Sequence, residues 1–198
     1  FICLMGYMVY FQTVKSEDFI NSPYNSRQDT FADRVVRGKI MSADGKVLAE
    51  TVVDAAGNET RKYPYGNMYA HVVGFSTNGK SGIESNMNFN LLRSHSFVLE
   101  RMFNEIKDEK SMGDNVVTTL DSTLQETAYQ ALGNYDGAVV VMEPSTGKVL
   151  AMVSKPDFDP NTIAADWDSI ISEDNNNSVL LNRATQGLYP PGSTFKII

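Results

Sequence analysis

The chain has 198 residues, of which 42% are hydrophobic and 21% are charged. This balance is that of a folded protein, and the length is enough to bury one core or two unequal ones. The formal net charge of -7 argues against nucleic acid or an anionic lipid surface as a main partner, because both require clustered lysines and arginines.

Cysteine and histidine are too rare to suggest a metal centre. The single cysteine, Cys3, excludes an intramolecular disulfide and a thiolate metal cage. The two histidines, His71 and His95, lie far apart in sequence, and we expect each to have a structural role. We therefore predict no metal and no cofactor.

An apolar run, FICLMGYMVYF, opens the chain at residues 1–11. A membrane-spanning helix needs roughly 20 apolar residues, so this run is too short to span by itself. We interpret residues 1–14 as the outer end of a transmembrane anchor whose tyrosines lie at the membrane interface. A buried core strand or helix is the alternative. The polar residues 15–33 then predict a tether or loop.

The segment VVRGKIMSADGKVLAETVV, residues 35–53, predicts a β-hairpin. Two β-rich runs flank residues 43–46, where Asp-Gly suits a tight turn. Further on, residues 96–107 carry apolar side chains at helical spacing, which predicts a packed helix. That pattern ends at Gly113, and we place there the boundary between a first domain, residues 15–112, and a second, residues 113–198.

The second domain begins with a predicted helix and two predicted strands. Ser122 and Gln125 have the spacing of a capping box, and Gly133 is expected to end the helix. The predicted buried face consists of Leu124, Ala128, Ala131 and Leu132. Residues 137–154 predict two strands covered on both faces and joined at residues 144–147. The elements together predict an α+β fold, a small β-rich pedestal followed by a sheet with helices packed on it.

The segment YPPGSTFKII, residues 189–198, places a serine three residues before a lysine. Its two prolines suit the start of a helix, and Gly192 suits a sharp turn. A helix beginning at Ser193 would bring Lys196 onto the same face. A desolvated lysine can be neutral and serve as the base that a serine nucleophile needs, and a helix N-terminus favours an oxyanion. Alone, this pattern is weak evidence, because a capping serine followed by a solvated lysine is common.

Five boxes of the chain add context to that pattern. They are RGKIMSADGKVLAE from Arg37, AHVVGFSTNGKSGIE at 70–84, GDNVVTTLDSTLQ from Gly113, GAVVVMEPSTGKVLAMVSKPDFDPN from Gly137 and NRATQGLYPPGSTFK from Asn182. In order and spacing they resemble two non-catalytic boxes and the start of the transpeptidase domain of class B penicillin-binding proteins, of the short-pedestal, division-associated type. The resemblance covers nearly the whole chain.

The resemblance implies a peptidoglycan D,D-transpeptidase that is anchored in the bacterial cell membrane with its catalytic domain outside the cytoplasm. Ser193 would attack the penultimate D-Ala carbonyl of a stem peptide, with Lys196 as the base and the backbone N–H of Ser193 as half of the oxyanion hole. Tyr189, Gly192 and Thr194 would contact the substrate. β-Lactams would mimic D-Ala-D-Ala and acylate the serine, and a membrane glycosyltransferase would be a partner.

Other residues have structural roles in this interpretation. By the resemblance, Arg37, Gly38 and Glu84 would stabilise the pedestal, with pairing of the arginine and the glutamate as the physical reason. Two unrelated surface charges are the alternative. Trp167 could line the substrate cleft, although packing is its expected role. The two aspartates of KPDFDPN resemble a turn and not a pair of catalytic carboxylates.

The sequence also departs from the family pattern. It has Ser42-Ala43 where many members have Asp-Arg, and it contains neither the S-x-N nor the K-T-G motif, so we expect a fragment truncated at both ends. Two alternatives stay open. One is a serine β-lactamase or β-lactam sensor, which also uses S-T-x-K. The other is a non-catalytic pedestal and docking module.

Overall fold

The structure, a computed structural model, describes residues 1–16, 35–94, 110–172 and 178–197. These residues form a mixed α+β arrangement, which confirms the predicted fold class. The predicted helix at 96–107 and His95 lie outside the described residues, as does nearly all of the predicted tether at 15–33.

The helices of the described ranges are mostly short. The α-helices are α1 (Ile2–Tyr10), α2 (Ala70–Val73), α3 (Gly82–Asn86), α4 (Asn88–Leu91), α5 (Ser122–Leu132), α6 (Ile163–Ile171) and α7 (Arg183–Gln186). A π-helical turn, Phe11–Lys15, continues α1, and 3-10 helices span Gly66–Tyr69 and Gly192–Ile197.

The described strands form three small sheets. The strands are β1 (Val35–Val36), β2 (Ile40–Met41), β3 (Val47–Val53), β4 (Glu59–Lys62), β5 (Ser111–Met112), β6 (Val116–Val117), β7 (Gly137–Met142) and β8 (Val149–Lys155). The largest sheet has the order β4-β3-β2-β6, while β1 pairs with β5 and β7 pairs with β8.

Helix α1 buries none of its side chains against the rest of the described chain. Phe1 and Ile2 are almost fully exposed, and Cys3 is also exposed. A search of the described residues for a helix of sufficient length and hydropathy to cross a bilayer finds none. Within the described residues, the segment is thus not packed as the core strand or helix considered as its alternative.

The predicted hairpin at 35–53 is confirmed as the antiparallel pair β2 and β3. Ile40 lies opposite Ala49, and Met41 lies opposite Val47. The turn contains Gly45 with φ of 83°, a conformation that glycine adopts without steric cost. The hydroxyl of Ser42 accepts a hydrogen bond of 3.0 Å from the backbone N–H of Lys46 and closes the turn.

The strands on either side of Gly113 both belong to the sheets of the pedestal. Val35 of β1 pairs with Ser111 of β5, and Ile40 of β2 pairs with Val116 of β6, both in parallel. Parallel pairing requires a long connection, and here the chain between β2 and β6 supplies it. Residues 116–117, which the sequence assigned to the second domain, thus complete the pedestal sheet.

Gly38 occupies a site where two backbone segments come very close. A Cβ atom at this position would lie 2.0 Å from the carbonyl oxygen of Asp114, a distance that no side chain tolerates. The Gly38 N–H donates to the carbonyl of Leu91 at 2.9 Å. The absence of a side chain therefore allows β1 and β5 to approach each other next to α4.

A buried cluster of charges lies beside this glycine. Arg37 Nε donates to Glu84 Oε2 at 2.6 Å, and Arg61 Nε donates to Glu84 Oε1 at 2.8 Å. Glu84 has no exposed surface, and Arg37 is nine per cent exposed. The two charges that the sequence could have left on the surface thus form a buried ion pair, and Arg61 is a third member that the sequence reasoning did not include.

Three apolar clusters surround these polar contacts. The main one joins the pedestal sheet to its helices through Ile40, Leu48, Ala49, Tyr63, Tyr69, Val73, Leu91 and Leu120. A second cluster combines Ala70, Phe75, Phe158 and Ile163, and a third packs Ala128 of α5 on Ala151 and Val153 of β8. The second cluster connects the pedestal with α6.

The start of α5 differs from the predicted capping box. Asp121 is the N-cap, and its carboxylate accepts from the Leu124 N–H at 2.9 Å, while the hydroxyl of Ser122 donates to Asp44 at 2.5 Å. Gln125 is fully buried. Its Nε2 donates to the carbonyls of Met68 and Met152, both at 2.8 Å. The predicted capping box was wrong, because the Ser122 hydroxyl bonds to the distant Asp44 and the Gln125 amide bonds to two backbone carbonyls.

The buried face of α5 also differs from its prediction. Ala128 is buried as expected, and Gly133 ends the helix, but Leu124 and Ala131 are exposed. The side chains that face inward include Ser122 and Gln125. The inward face predicted from apolar periodicity was therefore partly wrong, because polar side chains occupy part of the face that is buried.

The hairpin predicted at 137–154 is confirmed as β7 and β8, with Gly147 at φ of 73° in the turn. The prediction that both strands are covered on both faces was wrong for β7. Val140 and Met142 of this strand are 43% and 52% exposed. Strand β8 is better covered, because α5 packs on it.

We predict that Glu84→Gln strongly destabilises the chain. The glutamine keeps the shape but leaves two buried guanidinium groups without a counter-charge, which costs about 3–5 kcal/mol. The check is the free energy of unfolding measured by urea titration. A matched control is Glu50→Gln, because Glu50 pairs with Lys39 at 2.8 Å in a partly exposed site, where the expected loss is about 1 kcal/mol or less. Equal losses for the two variants would contradict the prediction.

Candidate active site

Ser193 and Lys196 lie in the 3-10 helix Gly192–Ile197. Side chains three residues apart in a 3-10 helix stack on the same side, so the serine and the lysine share a face, as the predicted helix also required. Gly192 has φ of 55°, which lets the chain turn sharply after the two prolines. The N–H of Thr194 donates to the carbonyl of Pro191 at 3.2 Å and closes the turn.

The site is open to solvent in the described chain. Ser193, Thr194 and Lys196 are all exposed. The desolvation that would make a lysine a neutral base is therefore not provided by the described residues. The described geometry places the two groups along one face of the turn.

The segment before the serine is built around a tight contact at Gly187. A Cβ atom there would lie 2.5 Å from both the Arg183 carbonyl oxygen and the Tyr189 ring. The ring of Tyr189 therefore lies against the backbone at the end of α7, while 58% of its surface stays exposed. This arrangement presents Tyr189 on the same exposed segment as the serine, four residues before it.

Polar side chains connect this second part of the chain to the pedestal. Asn161 Oδ1 accepts from the Tyr63 N–H at 2.9 Å, and Asn161 Nδ2 donates to the Tyr63 carbonyl at 3.0 Å. Asp157 accepts from Asn67 at 2.8 Å and from the Tyr129 hydroxyl at 2.7 Å. Because Asp157 accepts hydrogen bonds from these two side chains, its role is structural, which agrees with the turn suggested by the sequence.

Asp159 and Trp167 are also used for structure. Asp159 Oδ1 accepts from the N–H and the side-chain amide of Asn161, both at 2.8 Å. The indole of Trp167 packs edge-on against Phe75, with ring centroids 5.9 Å apart. Within the ranges that the structure describes, no three histidine, cysteine or acidic side chains come together as a metal site would require.

His71 is buried between the pedestal and β8. Its Nε2 lies 3.0 Å from the carbonyl oxygen of Pro156, and its ring contacts Phe158 edge-on at 5.2 Å. Since a carbonyl only accepts, Nε2 carries the proton. Burial lowers the pKa of His71 below its ordinary value of 6.5, and the hydrogen bond to Pro156 opposes this shift. The histidine is therefore a neutral structural donor, as the sequence suggested.

Two family models match the chain. The penicillin-binding protein transpeptidase domain matches residues 137–198, and the penicillin-binding protein A dimerisation domain matches residues 37–116. Peptidoglycan D,D-transpeptidase PbpA of Mycolicibacterium smegmatis is 40% identical over 185 residues, which cover 82% of this chain and 36% of the relative. The chain belongs to the class B penicillin-binding proteins.

Solved structures of penicillin-binding proteins agree with this assignment. The D,D-transpeptidase domain of a peptidoglycan glycosyltransferase from Eggerthella lenta has a TM-score of 0.69 at 38% identity, covering 83% of this chain and 36% of that one. The imipenem acyl-enzyme complex of penicillin-binding protein A from M. tuberculosis has a TM-score of 0.70 at 36% identity, covering 81% and 40%. The chain spans about a third of the length of the curated relatives that it matches.

The sequence of this penicillin-binding protein predicted Ser193 and Lys196 as catalytic residues, which stays a prediction, and it predicted the pairing of Arg37 with Glu84. It missed the amides that join the two parts. Gln125, Asn161 and Asn182 each bond to backbone groups of a distant segment. A glutamine inside an apolar helix pattern was the available signal for the first of them. The other two lie in turn-like sequence, where an asparagine is ordinary.

We predict that His71→Gln removes part of the pH dependence of stability. A histidine with a lowered folded pKa is neutral when folded, while the unfolded chain takes up a proton as the pH falls through 6.5. The wild-type protein therefore loses stability on the acid side of that value. The check is the free energy of unfolding at pH 7 and about pH 5, and the loss should be smaller in the variant. An equal loss in both proteins would contradict the neutral assignment.

Proposed function

We propose that this chain carries the pedestal and the nucleophile of a peptidoglycan D,D-transpeptidase. The observation that carries the proposal is that Ser193 and Lys196 share one face of an exposed turn, within the residues that match a transpeptidase domain. The relatives named peptidoglycan D,D-transpeptidase support the same reaction class. The activity belongs to the intact protein, of which this chain is the part that holds the serine.

The reaction proceeds in two acyl transfers. The Lys196 amine removes the proton of the Ser193 hydroxyl as its oxygen attacks the penultimate D-Ala carbonyl of a stem peptide. The bond to the terminal D-Ala breaks, D-Ala leaves with a proton on its amine, and the stem peptide becomes an ester of the serine. An amine of a neighbouring strand then attacks that ester, forms the cross-link and restores the hydroxyl.

The backbone and its neighbouring side chains have positioning roles in this scheme. The N–H of Ser193 donates to the oxyanion that forms during each transfer. Gly192 allows close approach of the substrate, since it carries no side chain, and Tyr189 and Thr194 contact the stem peptide from the same exposed segment. The tyrosine offers a flat apolar surface with a polar end, which suits a peptide.

β-Lactams are proposed as covalent inhibitors of the same serine. Attack of Ser193 on the lactam carbonyl opens the ring, and the product is an ester that stays attached to the protein. Penicillin-binding protein A of M. tuberculosis forms acyl-enzyme complexes with imipenem and penicillin G, which supports this proposal. Slow loss of the acyl group distinguishes a transpeptidase from a serine β-lactamase, which would release it rapidly.

We predict that penicillin labels the intact protein at Ser193. Mass spectrometry should find the adduct on the peptide with this serine, and Ser193→Ala should abolish it. Lys196→Ala should slow acylation by roughly 10²–10⁴-fold, the usual contribution of a general base. Lys148→Ala, at an exposed lysine between β7 and β8, is the control and should acylate normally. Labelling of the Ser193→Ala protein would refute the assignment.

We also propose a location at the cell membrane, with a membrane glycosyltransferase as partner. The support is α1, an apolar helix that buries no side chain in the described chain, and the tyrosines near its end, which suit a membrane interface.

We predict that the intact protein sediments with membranes and that removal of residues 1–14 together with any preceding residues releases it. The physical reason is that the exposed apolar side chains of α1 have no described protein surface to cover them. The measurement is fractionation of cells that express each form, followed by detection of the pedestal. Membrane retention of the shortened form would contradict the anchoring role of α1.

A further inference from the structure

The segment that presents Ser193 begins at Asn182, the N-cap of α7. Asn182 Oδ1 accepts from the N–H of Ala184 at 3.0 Å. The backbone carbonyl of Asn182 accepts from the N–H groups of Thr185 and Gln186 at 3.1 and 2.8 Å. The side-chain oxygen and the backbone carbonyl of Asn182 thus both cap the short helix that precedes the serine.

The other end of the same side chain reaches the pedestal. Asn182 Nδ2 donates to the carbonyl oxygen of His71 in α2 at 3.2 Å, across 111 positions of sequence. The acceptor is well fixed, because the His71 ring is itself bonded to the Pro156 carbonyl and packed on Phe158. Asn182 therefore contacts both a rigid part of the pedestal and the first turn of the segment that carries the nucleophile.

A second contact fixes the same point from β8. The N–H of Arg183 donates to the hydroxyl of Ser154 at 2.9 Å, and that hydroxyl is directed at the Leu181 carbonyl at 3.4 Å. Ser154 is buried, with three per cent of its surface exposed. The backbone around Asn182 is thus bonded from two sides, whereas residues 188–193 are exposed.

One hydrogen bond and two prolines restrict the connection from Asn182 to the serine. Helix α7 ends at Gly187, whose N–H still bonds to the Arg183 carbonyl at 3.3 Å. Pro190 and Pro191 then restrict φ in the last step before the turn at Gly192. A shift of the capping residue is therefore transmitted to Ser193, and a misplacement of about 1 Å in a nucleophile costs on the order of 10²-fold in rate.

We propose that Asn182 is a positioning residue that connects the pedestal to the nucleophile through the His71 carbonyl. The proposal rests on the function proposed above. It assigns to the pedestal a direct effect on the rate of acylation, since α2 sets the place where the Ser193 segment starts. The residue does not touch the substrate, and it acts through the position of the serine.

The test is the acylation of the intact protein by a fluorescent penicillin at several concentrations. Asn182→Ser keeps a residue that caps helices but is too short to reach the His71 carbonyl. Asn182→Asp keeps the size and the cap, but it replaces the donor with an acceptor oxygen and places a negative charge next to the His71 carbonyl. We expect the limiting acylation rate constant to fall by about 10- to 100-fold in both, with little change in the apparent dissociation constant.

Asn161→Ser is the matched control. It removes the same kind of amide, which bridges both the N–H and the carbonyl of Tyr63 in the pedestal, but it lies outside the segment that leads to Ser193. Asn161→Ser loses more hydrogen bonds than Asn182→Ser does. If a general loss of stability were the cause of slow acylation, Asn161→Ser would therefore acylate at least as slowly as Asn182→Ser. We expect Asn161→Ser to acylate at the wild-type rate.

The outcomes separate this inference from the proposed function. Absence of acylation in the wild-type protein would contradict the proposed function. Wild-type acylation in both Asn182 variants, or equal slowing in Asn161→Ser, would overturn the positioning role. Hydrogen exchange gives a readout without any ligand: exchange in residues 188–196 should increase in Asn182→Ser and stay unchanged in Asn161→Ser, and the reverse result would also overturn it.

Discussion

The pedestal depends on one buried carboxylate that two guanidinium groups share. The carboxylate of Glu84 accepts one hydrogen bond from Arg37 and one from Arg61, and none of the residue's surface is exposed. A buried charge without a partner costs several kcal/mol, so the three side chains have to come together for any of them to be buried. Because they come from the end of β1, from β4 and from α3, this requirement brings those elements to one place. The close approach at Gly38 then lets the chain around β5 and β6 join the same sheets.

The second part of the chain is joined to the pedestal by neutral amides. Gln125 bonds to the backbone of Met68 and Met152, Asn161 to that of Tyr63, and Asn182 to that of His71. An amide offers both a donor and an acceptor, so it can satisfy backbone groups without burying a net charge. Ion pairing thus stabilises the inside of the pedestal. Where the pedestal meets the later residues, these amides act together with two carboxylate hydrogen bonds, Asn67 to Asp157 and Ser122 to Asp44.

The sequence predicted what depends on neighbouring residues. Asp44-Gly45 and residues 144–147 mark turns because few residues tolerate those backbone angles, and Gly133 ends a helix for the same reason. It predicted that Ser193 and Lys196 share a face, because this depends only on their spacing of three residues. It failed for Ser122, since its hydroxyl bonds to Asp44 at a separation of 78 residues, and no local pattern carries that information. The same reason explains why Arg61 and Asn182 were absent from the predicted contacts.

The position of the nucleophile is a consequence of this arrangement. Strands β7 and β8 form a two-stranded sheet within the described residues, and such a hairpin is marginally stable alone. Within the described residues, Val140 and Met142 of β7 are partly exposed. Helix α5 therefore stabilises the hairpin from one side, and Gln125 fixes β8 to the pedestal at Met152. Since Ser154 of the same strand bonds to the start of α7, the serine is placed by contacts that lead back to the pedestal.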